Sequence, residues 1–448
     1  MRIAKICLIV AGLLTCLTAW NQTTTNSPYS IYGLGDEGSR AFANQRAMGT
    51  AQIAHVDSGY VNFRNPATYA SLGKPIFSAD VNFDFLNVQA PASSQSFNNA
   101  YLSNIALAFP IGKRFGFAAG INPYTQMGYN IVANQYDSVI GNYDFVYQGD
   151  GGINQAMGGV SAVLWDTYLD TARRRVNFGQ KKYINHRLSI GANVIYYFGF
   201  AQTSRAVTNF IDDPAHLSSK MKNKTNVNGA AFDFGLHYRL QMDSLSFLSV
   251  AGYYQPSLDI SAKNLQVSYS YFPNNDVENI RDTVTSTEID GQITFPSSMG
   301  GGISLELERR WTINMDYRMT NWSELKLFDT PQNLKNRTDM AFGLQYVPKH
   351  NAERQLLAVI RYRAGVRFSQ TRLEVNNQQL QEYTVSLGLG LPILKSVSRS
   401  SLNVGIDFGQ RGNNLSTGVN EQFTRVYFGV AFSPLAKQDE WFNPRKYE

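Results

Sequence analysis

Cysteine is nearly missing from this chain. Its 448 residues contain two, Cys7 and Cys16, both in the leading stretch. Without that stretch no disulfide framework and no thiolate metal centre can form. Long apolar runs are missing too. Beyond the leader no segment offers the roughly 18 uncharged apolar residues of a membrane helix, and the mean hydropathy is −0.26. Charge of one sign is also scarce. Lys and Arg number 40 against 34 Asp and Glu, a formal net charge of +6, to which Arg2 and Lys5 of the leader contribute; so small an excess argues against nucleic acid as a partner. The five histidines, His55, His186, His216, His237 and His350, have no metal-ligand spacing to a second His, Cys or carboxylate cluster. His237 falls with Gly235 and Arg239 on one strand face, but nothing around it resembles a nucleophile elbow. Gly33 and Gly35 lie in a loop without the strand-to-helix context of a nucleotide site. No enzyme activity, cofactor or metal is expected.

What is present begins with export. Arg2 and Lys5 precede an apolar run from Ile6 to Leu17, followed by small and polar residues. That run is too short to span a bilayer and reads as a secretory signal over residues 1–19. Cys16 in LLTC hints at a lipoprotein box, but Thr15 is bulkier than the usual small residue before the cysteine. Aromatic residues make up 13% of the chain. An exported, cysteine-free, aromatic-rich chain is either a secreted β protein or an outer-membrane barrel.

Alternation carries the fold. In 402–409 one face holds Leu402, Val404, Ile406 and Phe408, the other Asn403, Gly405, Asp407 and Gly409. In 383–391 the faces are Tyr, Val, Leu, Leu, Leu against Thr384, Ser386, Gly388 and Gly390. In 311–319 Trp, Ile, Met, Tyr and Met oppose Thr312, Asn314, Asp316 and Arg318. Period two with one apolar face is a half-buried strand. Such runs repeat fourteen times between Ile76 and Phe432, an even number as a single-chain bacterial barrel needs. Connections alternate in length. IGKR (111–114), QMDS (241–244), ERR (308–310), KHNAE (349–353) and the stretch near Lys395 are short; 122–150, 202–225, 265–287, 321–336, 369–380 and 410–421 are long. Short periplasmic turns and long outer loops have this parity. The long basic connection 166–186 breaks it, either as a docking segment or through a miscounted strand. Runs such as 187–201 exceed the roughly five to seven residues usual in a sandwich. The expected fold is all-β: a transmembrane antiparallel barrel of about 14 strands over 76–433, an N-terminal plug over 20–75 and a periplasmic tail over 434–448.

The plug segment carries a resemblance. RAMGTAQIAHVDSGYVNFRNPATYASL (46–72) resembles the hatch of the FadL-type outer-membrane transporters of long-chain fatty acids and other hydrophobic compounds. Asp57 and Asn65-Pro66-Ala67 match its acidic residue and Asn-Pro-Ala motif. FGFAAGINPYTQMGYN (115–130) is similar to the family's kinked third strand, and TFPSSMGGGISLELERRWTINMDYRMTNWSEL (294–325) to its mid-barrel segment. The Tyr254-Gln255-Pro256 step fits as well. Two features depart from the pattern: Met48-Gly49-Thr50 is a thin glycine-rich start, and KQDEWFNPRKYE follows the last strand. SPYSIYGLGDEG (27–38) has no counterpart in the family.

The resemblance implies uptake of fatty-acid-like molecules across the outer membrane of a Gram-negative bacterium, with sideways release into the bilayer. Its candidate kink is Gly120, Asn122 and Pro123, where proline breaks the ladder; alternatively Pro123 only starts an outer loop. Asn65 and Pro66 either gate the lumen or form a turn closing the plug onto the first strand. Asp316, Arg318, Arg361, Arg363, Asp407 and Arg425 lie on polar strand faces. They would contact a ligand carboxylate, or line the barrel and hold the plug. The alternative function, on the same fold, is a non-transporting partner or shuttle of a protein secretion complex, as in PorV-like relatives. Expected partners are therefore a hydrophobic small molecule, outer-membrane lipid and, in the second case, a periplasmic or membrane protein.

Overall fold

A computed structural model describes residues 25–90, 93–139, 141–167, 185–208, 210, 216–274, 277–349, 356–393, 400–412 and 418–433. The signal, most of the 166–186 connection, His350 and the tail fall outside them. The wall is a closed antiparallel barrel of fourteen strands. These are β1 (Ile76–Ala90), β2 (Ser93–Ile111), β3 (Phe115–Asp137), β4 (Gly141–Asp166), β5 (His186–Thr208) and β6 (Ser218–Gln241). β7 runs as Phe247–Gln255 and Leu258–Asn274, and β8 as Val277–Phe295 and Ser298–Leu307. β9 (Trp311–Thr320), β10 (Arg337–Tyr346), β11 (Arg361–Val375), β12 (Gln378–Pro392), β13 (Ser401–Gly412) and β14 (Asn420–Phe432) complete the wall. β14 pairs with β1 from Phe432↔Phe77 to Asn420↔Gln89, which closes it.

The polar faces point inward. Along β9, Thr312, Asn314, Asp316 and Arg318 are buried while Trp311, Met315 and Tyr317 are exposed. Along β13, Asn403 and Asp407 are buried and Phe408 is exposed. Ladder pairing around the barrel satisfies most backbone groups within the sheet, and an exterior of Leu, Val, Phe and Met is the surface that lipid requires. No helix among the described residues is long and apolar enough to cross a membrane.

Several connections read as long loops are strand instead. β3 continues to Asp137 and β4 starts at Gly141, and likewise β5 reaches Thr208 while β6 starts at Ser218. β4 has 26 residues, about 85 Å of chain at ~3.3 Å per residue, far more than a hydrocarbon core of ~30 Å demands. Past the lipid, water wets the outer face and the apolar alternation disappears, as in Ser219–Asn226; the ladder does not. β11 begins at Arg361, after a helical turn at Leu356–Val359. Its unbroken apolar run has no period that separates turn from strand. Pro256 and Pro296 interrupt β7 and β8 at the same level, between Gln255↔Ser298 and Leu258↔Phe295. Neither proline has an N–H to give the ladder.

The lipid-facing assignment predicts an asymmetry at the middle of β9. Met315→Arg, on the outward face, should destabilise the barrel by about 2–4 kcal/mol, whereas Met315→Leu should cost under ~1.5 kcal/mol. The temperature at which the folded, fast-migrating gel form is lost reads both.

Candidate functional site

Residues 25–75 run through the lumen from the end where β13 and β14 join down to the end where β1 begins. At the upper end Ser27 donates to Glu421 (2.5 Å), and the Tyr29 hydroxyl donates to the Val419 carbonyl (2.8 Å). At the lower end Tyr69 donates to Asn193 (3.0 Å) and Arg187 reaches the Ala70 carbonyl (2.7 Å). SPYSIYGLGDEG thus caps the upper mouth. The segment forms only short turns and one two-residue strand, Asp36–Glu37, so its backbone looks to the wall. The Asp80 carboxylate accepts the Ala43 N–H (2.6 Å), and Asp316 accepts those of Gln52 (2.6 Å) and Ile53 (2.9 Å). Carboxylates accepting backbone N–H groups make strong charge-assisted bonds.

Each charged residue singled out by its strand face is engaged here. Arg318 donates to Thr50 (2.9 Å), and Arg361 pairs with Asp57 (3.3 Å). Arg363 donates to Gln345 and Asn403, Asp407 accepts from Tyr427 and faces Arg46 (3.8 Å), and Arg425 pairs with Asp84 (3.2 Å). A further buried anchor centres on Arg40, which no strand face singles out. Arg40 bonds Asp233 (2.7 Å), Gln155 (3.0 Å) and Gln255 (3.1 Å) at once, and Asn193 donates to the other Asp233 oxygen (2.7 Å). Two further sets, Arg337 with Asp339 and Glu37, and Arg411 with Asp36 and Glu421, tie the upper plug to the wall. Only the inward register of Asp233, Asp339 and Glu421 on alternating strands could have flagged them.

Asn65, Pro66 and Ala67 occupy a hollow. The Asn65 side chain accepts from the Ala67 N–H (3.1 Å) and donates to the carbonyls of Ile53 (3.1 Å) and Leu236 (3.2 Å). Pro66 opens the 3₁₀ turn Pro66–Ser71, where a missing N–H is harmless. Gly235 and Gly191 make the room: a Cβ on Gly235 would lie 2.1 Å from Asn65 Oδ1, and one on Gly191 2.5 Å from the Pro66 carbonyl carbon. Asp57 closes the adjoining turn by accepting the Gly59 N–H (2.9 Å).

Gly120, Asn122 and Pro123 mark a discontinuity in the wall. Pairing of β2 with β3 runs from Ile111↔Phe115 only to Ile105↔Ile121 and stops. Above it β2 pairs with β1 and β3 with β4 alone. On the inside, the plug strand Asp36–Glu37 pairs with Gln126 and Thr125 of β3, and the Gly38 N–H donates to the Tyr124 carbonyl (2.8 Å). Pro123 is thus inside a 23-residue strand, not at a loop start. The register slips between Pro123 and Thr125, leaving Tyr124 as a bulge residue. Its ring packs against Tyr197 (4.8 Å), Phe295 (5.3 Å) and Trp322 (6.4 Å), the last from the connection after β9. Gly120 lets the Phe63 ring approach: a Cβ there would lie 2.3 Å from its Cζ. Asn104, across the gap on β2, donates to the plug carbonyl of Ala41 (3.0 Å). His237 faces inward beside the plug, its Nε2 3.3 Å from the Ala54 carbonyl. The two electrostatic halves differ: wall and plug share salt bridges, while the gap is backed by aromatic rings.

A family model described as BamG matches residues 3–448. No curated protein matches the chain. Among solved structures, a FadL homologue of Pseudomonas aeruginosa is similar at 14% identity and TM-score 0.55, covering 89% of this chain and 99% of that one. The toluene transporter TodX of Pseudomonas putida is similar at 14% identity and TM-score 0.53, over 89% and 99%. The monoaromatic hydrocarbon channel CymD follows at 14% and 0.51, over 90% and 99%. At such identity the likeness is one of fold.

Two outcomes test the plug's anchorage. Arg40→Ala should destabilise the plugged state by about 3–5 kcal/mol, since it strands the buried Asp233 charge, and Arg40→Met with Asp233→Leu should recover much of it; trypsin cleavage at Arg46 and Arg64 reports plug release. Acid should loosen the plug as well. Burial pushes His55 down from 6.5 to about 4, Asp57 partly opposing this and Arg363, Arg239 and Arg361 reinforcing it. A depressed histidine is neutral in place and protonated when released, so anchorage falls as pH drops from about 6.5 to 4. Asp57, raised by burial but held below its ordinary range chiefly by Arg361, adds a loss only below about pH 4. His55→Gln should flatten the upper part of the pH profile of cleavage.

Proposed function

This chain belongs to the BamG family and has the fold of FadL-type barrels, and from that premise we propose that it takes up hydrophobic small molecules across a Gram-negative outer membrane. The observation that carries this reading is the unpaired seam between β2 and β3, backed by aromatic rings. Exposing an alkyl chain to water costs about 0.8 kcal/mol per CH₂, roughly 10 kcal/mol for twelve methylenes. A water-filled pore is therefore a poor conduit, and a sideways exit into lipid avoids the penalty. The seam already lacks ladder hydrogen bonds, so opening it breaks the two-residue pairing of Asp36–Glu37 with β3, the contacts of Gly38 and Ala41, and the ion pairs of Asp36 with Arg411 and Glu37 with Arg337. Gly120, Asn122 and Pro123 form its edge, with Tyr124, Tyr197, Phe295 and Trp322 as the apolar surface that receives the ligand. Asp57 and Asn65–Ala67 hold the lower plug while the upper part moves. Asp316, Arg318, Arg361, Arg363 and Asp407 act as latches of plug and wall, and Arg425 braces the wall itself through Asp84. Fatty-acid-like and monoaromatic molecules both suit a ring-lined surface of this kind.

A second reading has its own observation. Plug and wall together enclose a cavity of about 110 Å³, lined by charged groups, whereas ligand pockets hold roughly 300–1,000 Å³. A lumen so filled suits a non-transporting partner subunit of a secretion complex, whose barrel serves as a membrane anchor.

The register supplies the test. Asp36 lies opposite Gln126, and both natural cysteines fall within the leader, so Asp36→Cys with Gln126→Cys places one disulfide across the gate. Oxidation should lower uptake of labelled laurate and toluene into outer-membrane vesicles at least ten-fold, with recovery on reduction. Unchanged uptake in the locked protein sinks the seam as the exit. No uptake in either state, together with a stoichiometric membrane protein on purification, supports the second reading.

A further inference from the structure

The enclosed chamber is out of electrostatic balance. Eight arginine guanidiniums and six carboxylates line it. A seventh carboxylate, Glu421, shares Arg411 with Asp36. Arg337 takes Asp339 and Glu37, Arg367 takes Glu382, Arg425 takes Asp84, and Arg46 faces Asp407. Arg318 leans on Thr50 and lies 4.0 Å from Asp339. Two arginines, one on each body, have no carboxylate within 4 Å among the described residues, although Asp36 and Glu37 lie in the same chamber. Arg64, on the plug, lies over the Tyr253 ring (5.6 Å) with its Nε buried and without an acceptor. Arg372, on β11, gives one N–H to the Gly35 carbonyl and lies over Trp322 (4.3 Å). It is 4% exposed, and its Nη1 has no acceptor among the described residues.

A buried guanidinium left without its counter-charge is strongly destabilising. The planar fork of arginine matches oxyanions, two N–H groups to two oxygens. The chamber's ~110 Å³ leaves room for a small tetrahedral anion. We propose that this chamber binds one small free oxyanion of the phosphate or sulfate class. The anion neutralises Arg64 and Arg372 and so links plug to wall at the level of Asp36–Glu37. The site adjoins the ring-lined seam, with Arg372 over Trp322 and the plug strand Asp36–Glu37 in its lining.

Inorganic phosphate is the probe. Equilibrium dialysis of the mature barrel in detergent, at constant ionic strength, should give one saturable equivalent of [³²P]phosphate, displaced by sulfate. Arg372→Gln and Arg64→Gln should each weaken binding at least ten-fold, while Lys263→Gln, on the exposed wall, should leave it unchanged. In parallel, phosphate should slow phenylglyoxal modification of Arg64 and Arg372 in the wild-type protein, a readout that needs no variant to fold. No saturable binding to wild type overturns the proposal, as does binding unaffected by Arg372→Gln, or modification that phosphate does not slow. Laurate displacing phosphate at far lower concentration than acetate also overturns it, because the occupant is then a lipid headgroup rather than a free anion.

Discussion

A strand of plug without a sheet of its own has to find its hydrogen bonds on someone else's surface. Inside a closed barrel that surface is the ring of inward side chains, and in this chain they are asparagines, aspartates and arginines rather than leucines. Asp80 and Asp316 take backbone N–H groups that a helix or sheet would otherwise satisfy, and Asn65 serves two carbonyls from opposite bodies. An unpaired buried backbone group costs about as much as a lost hydrogen bond. The polar interior follows from this need, and the apolar exterior follows from lipid. The protein is consequently inverted relative to a water-soluble domain, with charge in the middle and Phe, Val and Met outside.

The same need shapes the seam. β2 and β3 separate above Ile105 and Ile121, and β3 there exposes an inner edge. The plug strand Asp36–Glu37 fills two positions of that edge, a ladder of two residues in place of a wall strand. A short pairing is weak where a long one is strong. The bulge at Tyr124 and the proline before it place the rings behind the gap at the point where the ladder gives way.

Much of the fold was legible because the barrel repeats one rule. Each wall strand crosses lipid on one face, and that imposes period two at fourteen places, from Ile76 to Phe432. The rule stops where lipid stops, which is why Asp137, Thr208 and Asn274 end strands that read as loops. Candidate residues were legible by face but not by partner. Asp316 and Arg318 announced an inward position by alternation, whereas nothing near Asp233 in the chain announced Arg40, 193 residues away. Gly191 and Gly235 read as ordinary strand glycines until the Asn-Pro-Ala turn is set against them. Pro123 carried a kink in its chemistry, but whether it stood in a strand or before a loop depended on pairing with Asn154.

The sequence by itself determined an all-β membrane barrel, the strand number, the inward and outward faces and a non-alternating N-terminal segment. Periodicity is local, and a single strand contains it whole. The tertiary structure alone decided the path of the plug from one mouth to the other, the salt-bridge partners, the length of the seam and the two arginines left without carboxylates. Each of these is a sum over groups brought together from distant strands, and charge balance in a closed space has no local signature in the chain.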